Sequence, residues 1–149
     1  MVIEVFLATG VLWGFNVLFG SPLLASAAIR NGLDRWPTSR PAANLLAATA
    51  LVTVGQIIAI GATVLAAGGR LRGTGVFVGV GGSLVGVAVG TWVIVVWLFP
   101  LSGRWRPSQP DGALDGRLVL TGALLVYLGG LGLGALLALM AAIAIGFPG

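Results

Sequence analysis

Four stretches of this chain carry no charged residue at all: Val5 to Ile29, Pro41 to Gly69, Gly73 to Gly103 and Leu118 to Gly149. A helix needs about 20 residues to cross a hydrocarbon core of about 30 Å, so each stretch is long enough to cross once. The alternative, a soluble domain, would have to hide every face of four long apolar helices, and a 149-residue chain has too little interior for that. The expected fold is an all-α integral membrane protein: a four-transmembrane-helix bundle of two antiparallel hairpins, forming a single membrane domain over 1–149. Helices are predicted at approximately 3–28, 42–67, 74–99 and 118–145.

The charges mark the connections. All eight basic residues are arginines, at 30, 35, 40, 70, 72, 104, 106 and 117, and the formal net charge is +4. Six of them (Arg30, Arg35, Arg40, Arg104, Arg106 and Arg117) flank the first and third connections, whereas Arg70 and Arg72 flank the second. By the positive-inside rule, loops 1 and 3 are expected in the cytoplasm and both termini outside, in a prokaryotic-type cytoplasmic membrane. The basic segments are short, lack lysine and form no contiguous patch, which argues against nucleic acid and for a membrane-side address; membrane lipid is an expected partner of the apolar helices.

The start of the chain has the small-x-small pattern Ala25-Ser26-Ala27 of a signal cleavage site. Glu4 and the absence of arginine or lysine ahead of the apolar run point instead to a retained first helix. Pro22 lies inside that run, and a missing amide there predicts a bend between Leu18 and Pro22. Residues 31–40 read as a compact loop and residues 68–73 as a tight turn, which makes helices 2 and 3 neighbours. Trp97, Phe99 and Trp105 are expected at the membrane boundary. In the long polar loop 104–117, Asp115 is placed to cap the fourth helix, and Arg104, Trp105 and Arg106 form a candidate docking surface.

Chemistry is bounded by what the chain lacks. With no cysteine and no histidine, it offers no disulfide, thiol nucleophile, iron–sulfur ligand, bis-histidine haem or histidine proton relay. No catalytic pair or cofactor motif stands out, so neither catalysis nor a bound cofactor is expected. What remains inside the apolar runs is neutral: Thr49, Thr53, Gln56 and Thr63 share one face of helix 2, Asn16 is the conspicuous polar group of helix 1, and Ser83, Thr91 and Tyr127 are further candidates. Amides and hydroxyls in hydrocarbon require partners, so this set reads as interhelical hydrogen bonding, contact with another subunit, or a transport path.

Glycine supplies the other pattern. There are 25, and Gly82, Gly86 and Gly90 fall four residues apart, extended by Gly75 and Gly79; Gly10 with Gly14 and Gly130 with Gly134 repeat the spacing. Such stripes let helices approach closely. A loose parallel between Gly10, Gly14 and Pro22 and Gly86, Gly90 and Pro100 hints at two related halves, although glycine is abundant enough to produce it by chance. Together these features predict a noncatalytic accessory or assembly subunit that packs through its glycine-rich helices against other integral membrane subunits or copies of itself. The competing expectation is a small homo-oligomeric channel or passive transporter with a polar path near Asn16 and Gln56.

Overall fold

The computed structural model describes residues 2–34, 37–68, 74–103, 105 and 114–144. Helix α1 covers Val2–Gly20, a 3₁₀ turn covers Ser21–Ala25, and a short α2 covers Ala27–Leu33. Helix α3 covers Pro41–Ala66, α4 covers Thr74–Val93, a π-helical turn covers Ile94–Leu98, α5 covers Phe99–Leu101, and α6 covers Gly116–Ala144. The protein is all-α, and four of its spans are long and apolar enough to cross a membrane: Ile3–Ala25, Pro41–Ala66, Gly75–Leu101 and Gly116–Ala141. Arg35, Arg70, Arg72, Arg104, Arg106 and Asp111 lie outside the described residues, as does most of the 68–73 turn.

Each irregularity has a local cause. Pro22 has no amide hydrogen to donate, so the first helix tightens at Ser21 into a 3₁₀ turn instead of continuing smoothly, and Ser21 Oγ donates back to Leu18 O at 3.0 Å. The chain then forms α2, so the beginning of the expected 31–40 loop is helical. Pro100 likewise cannot donate to the carbonyl four residues back. The wider π turn before it lets the helix continue to Leu101 instead of ending near 99. Helix α3 ends at Ala66 with Ala67 as its C-cap, and Gly68 takes the left-handed conformation (φ 56°) while its N–H bonds to Leu65 O at 3.0 Å. Asp115 caps α6: its Oδ1 accepts the backbone N–H of Arg117 at 2.8 Å.

The bundle is inside-out by soluble standards. Its buried side chains include Asn16, Asn44, Thr49, Thr53 and Gln56, while Phe6, Val11, Leu51, Ile58, Val78, Leu125 and Ile143 are among the many large apolar groups that face outward. Water would penalise that exposed apolar surface heavily, and hydrocarbon would not.

One end of the bundle is closed by Trp105. Only 7% of its surface is exposed, its Nε1 donates to Ala28 O at 3.2 Å, and its ring lies on the bare backbones of Gly32 and Gly116. A Cβ at Gly32 would come within 2.8 Å of that ring, and one at Gly116 within 2.6 Å. Trp105 therefore fills a slot between α2 and the start of α6, whereas Trp97 and Phe99 stay exposed. Beside it, Asn44 in the first turn of α3 gathers the connection: Nδ2 donates to Leu33 O and to Thr38 O, and Oδ1 accepts from Thr38 Oγ1 at 2.8 Å.

Gly116→Ala should push Trp105 out of its slot and cost about 1–3 kcal/mol, the usual range for overpacking. Thermal unfolding in detergent checks this. The cost should largely vanish in a Trp105→Ala background; an equal cost in both backgrounds would show that the ring is not what Gly116 accommodates.

Candidate functional site

The polar side chains of three helices converge at mid-bundle. On α3, Thr49, Thr53 and Gln56 recur at spacings of four and three, so they share one face, and that face is turned inward. Asn16 of α1 meets it: Nδ2 donates to Thr53 Oγ1 and to Gln56 Oε1, both at 2.8 Å. Gln56 Nε2 donates to the Tyr127 hydroxyl of α6 at 2.7 Å, and that hydroxyl donates to Asn16 Oδ1 at 2.8 Å. The three side chains thus close a ring in which each donates once and accepts once around the circuit. Gln56 has 0% of its surface exposed and Asn16 has 5%.

Threonines and a tryptophan extend the ring along α3. Thr53 Oγ1, which accepts from Asn16, donates to Thr49 O at 2.8 Å; Thr49 Oγ1 donates to Leu46 O at 3.0 Å and accepts from Trp13 Nε1 at 3.2 Å. These hydroxyls bond back to the preceding turn, so they satisfy themselves locally while still offering a lone pair across the bundle. Among the described residues no buried side-chain nitrogen or oxygen lacks a partner.

An aromatic cluster backs the ring. Phe15 and Phe19 stand one turn apart on α1, with the Tyr127 ring edge-on to both at centroid distances of 5.4 and 5.9 Å. Gly130 makes room for them, since a Cβ there would lie 2.5 Å from the Phe19 ring. Gly130, one of the glycines predicted to mediate packing, thus meets a neighbouring helix closely. Gly10, Gly14, Gly82, Gly86, Gly90 and Gly134 have nothing within 4 Å of their Cβ positions in the single chain.

Helix α4 is attached differently. Thr63 and Ser83 hydroxyls lie 2.8 Å apart and bridge α3 to α4, while Trp92 Nε1 donates to Thr121 Oγ1 of α6 at 3.2 Å. Between α3 and α4 runs an open groove of about 430 Å³, lined by Ala59, Thr63, Gly79, Gly82, Ser83 and Gly86. Gly75 lies in the first turn of α4. Thr91 is half-buried on α4, and among the described residues it makes no hydrogen bond to the ring.

Of the polar residues singled out from sequence, Asn16, Thr49, Thr53, Gln56 and Tyr127 come together, Thr63 and Ser83 form a separate pair, and Thr91 joins neither. Trp13, Asn44 and Trp92 were not anticipated. Asn44 carried a signal, as an amide three residues into a helix that starts with proline; the two tryptophans read only as apolar bulk. Trp105 was assigned to the membrane boundary and a docking loop, yet it is held inside the bundle end.

Among the described residues no three of His, Cys, Asp and Glu gather as a metal site. The site consists of neutral amides, hydroxyls and an indole, which bind by hydrogen bonding and supply no general base. Asn16→Ala and Tyr127→Phe should each cost about 1–2 kcal/mol of bundle stability, the range for interhelical hydrogen bonds in membranes. The double variant should cost less than the sum, because either change opens the same ring. Denaturant titration in mixed micelles reads this, and strict additivity would speak against a closed circuit.

The chain matches no protein-family model, no curated protein and no solved structure at a significant level.

Proposed function

We propose that this is a four-span integral membrane protein that provides a passive path for small polar solutes and works as a homo-oligomer. The carrying observation is the polar lane on α3. Thr49, Thr53 and Gln56 occupy one face over about 10 Å, and Thr63 follows two turns further along the same face, about 21 Å from Thr49 at 1.5 Å per residue. Asn16 adds to it from α1, the Tyr127 hydroxyl of α6 accepts from Gln56, and at Thr63 and Ser83 the face meets the open groove. A solute leaving water loses hydrogen bonds, and a row of amides and hydroxyls is what can replace them in a low-dielectric interior.

The partner pairs support two antiparallel hairpins. Asn16 meets Thr53 and Gln56 while Gly20 faces Leu45 and Thr49; Thr63 meets Ser83 while Gly55 faces Val87; Trp92 meets Thr121 while the Arg117 guanidinium sits 5.8 Å over the Trp97 ring. In each pair of helices one numbering rises as the other falls. The arginine balance supports cytoplasmic placement of the 31–40 and 104–117 segments, with both termini outside a prokaryotic-type cytoplasmic membrane. A cysteine at Thr38, in a chain with none of its own, should react with an impermeant maleimide only after cells are opened; labelling of intact cells would reverse this orientation.

A second reading has its own support. The open faces at Gly10, Gly14, Gly82, Gly86, Gly90 and Gly134 suit close packing against other helices, either of copies of this chain or of different membrane subunits that it would serve as an accessory. Native mass spectrometry in lipid nanodiscs separates the two, with a defined homo-oligomer expected for the path and a fixed heteromeric mass for the accessory subunit. In reconstituted vesicles, Asn16→Leu and Gln56→Leu should each reduce solute flux about tenfold without loss of assembly, since each removes a hydrogen-bonding station worth about 1–3 kcal/mol. Unchanged flux in assembled variants would remove both residues from any path.

A further inference from the structure

The ring contains a sample of the chemistry that its amide pair accepts. Between Gln56 Nε2 and Asn16 Oδ1 sits a single oxygen, the Tyr127 hydroxyl, which accepts from the first at 2.7 Å and donates to the second at 2.8 Å. One oxygen that both accepts and donates at those distances is an alcohol or a water. An ammonium group can only donate, and a carboxylate can only accept.

We infer that the Asn16–Gln56 amide pair is a binding site for a neutral hydroxyl, that of water or a small polyol, and that Tyr127 is the built-in occupant that keeps it filled when no solute is present. The inference rests on the passive-path reading and names its solute class. Three further observations bear on it. The tyrosine arrives from α6, a different helix from either amide, so its hydroxyl can leave without parting Asn16 from Gln56, whose direct bond of 2.8 Å holds α1 to α3. Its ring rests edge-on to Phe15 and Phe19, an apolar contact that does not involve the hydroxyl's hydrogen bonds.

The third is the charge distribution. None of the four apolar runs contains Asp, Glu, Lys or Arg, and the groups along the α3 lane are neutral amides and hydroxyls. An ion entering such a lane would lose its hydration against partners too few and too weak to replace it, whereas a hydroxyl exchanges one hydrogen bond for another. The lane is therefore matched to neutral solutes and closed to ions.

The test uses wild-type and Tyr127→Phe chains in lipid vesicles. Stopped-flow light scattering follows water efflux and glycerol entry, and ion-sensitive dyes follow potassium and chloride. The expected result is water or glycerol permeability above that of empty vesicles, raised several-fold in Tyr127→Phe because the competing hydroxyl is gone, with potassium and chloride at the empty-vesicle level in both. Glycerol entry would identify a polyol site, and water movement alone a water site. Ion flux without neutral-solute flux would overturn the hydroxyl assignment while leaving a passive path in place; no flux of any kind in either chain would overturn both. Lower neutral flux in a Tyr127→Phe chain that keeps its native mass and helical circular dichroism would refute the role given to Tyr127. Should that variant not fold, the wild-type comparison of neutral solutes against ions decides the matter.

Discussion

Amide and hydroxyl groups set between apolar helices have no bulk water to fall back on, so each must find its partner inside the protein. Asn16, Gln56 and Tyr127 solve that problem for one another, and the arrangement of α1, α3 and α6 follows from it. The three-carbon side chain of Gln56 on α3 and the two-carbon side chain of Asn16 on α1 reach each other only when the two helices present these faces at the same level. The phenol of α6 then fixes the third helix to both. Apolar contact alone would not specify this rotation, because a leucine face packs against lipid as well as against another helix. The polar ring thus gives direction to a set of helices whose outward surfaces are almost uniformly apolar.

Around that centre the bundle divides into tighter and looser parts. At one end Trp105 lies across the bare backbones of Gly32 and Gly116, and Asn44 gathers the segment leading into α3. In the middle, Gly130 admits Phe19 beside the tyrosine. Along α4, by contrast, the small residues leave a groove against α3 and an open outer face. Glycine therefore serves two purposes in this chain. Gly32, Gly116 and Gly130 accept aromatic rings within the molecule, and the stripe from Gly82 to Gly90 leaves a surface that the molecule does not itself cover.

The helical class, the four apolar spans and the inward polar face of α3 were all legible in the sequence, because each depends on run length or on a 3.6-residue period. Asn16 was legible as well, since a lone amide in an apolar run demands a partner. Which partner it finds was not. Tyr127 is 111 residues away, and only the relative rotation of α1 and α6 brings its hydroxyl to Asn16. The glycine stripes pointed to close packing, but spacing says nothing about which bare backbone faces a ring. Gly130 was singled out for its spacing to Gly134, and what it meets is Phe19; Gly32 and Gly116, in no stripe, admit Trp105. The proline effects were local and so foreseeable in kind, yet whether the helix tightens, as at Ser21–Ala25, or widens, as at Ile94–Leu98, depends on how the neighbouring turns pack.

The whole account turns on the contact between Gln56 and Tyr127, which joins α3 to α6 and completes the ring. Tyr127 is the only tyrosine in the chain, so a tyrosine labelled with ¹³C at Cζ marks one site, and ¹⁵N in the glutamine side chains supplies the second label. Rotational-echo double-resonance NMR on the protein in lipid bilayers measures the dipolar coupling between them. A ring closed by a hydrogen bond places the two nuclei within about 4 Å and gives strong dephasing. Dephasing indistinguishable from that of a Gln56→Leu control would mean that the ring is not formed, and the bundle would then need a different explanation for how its helices are held in register.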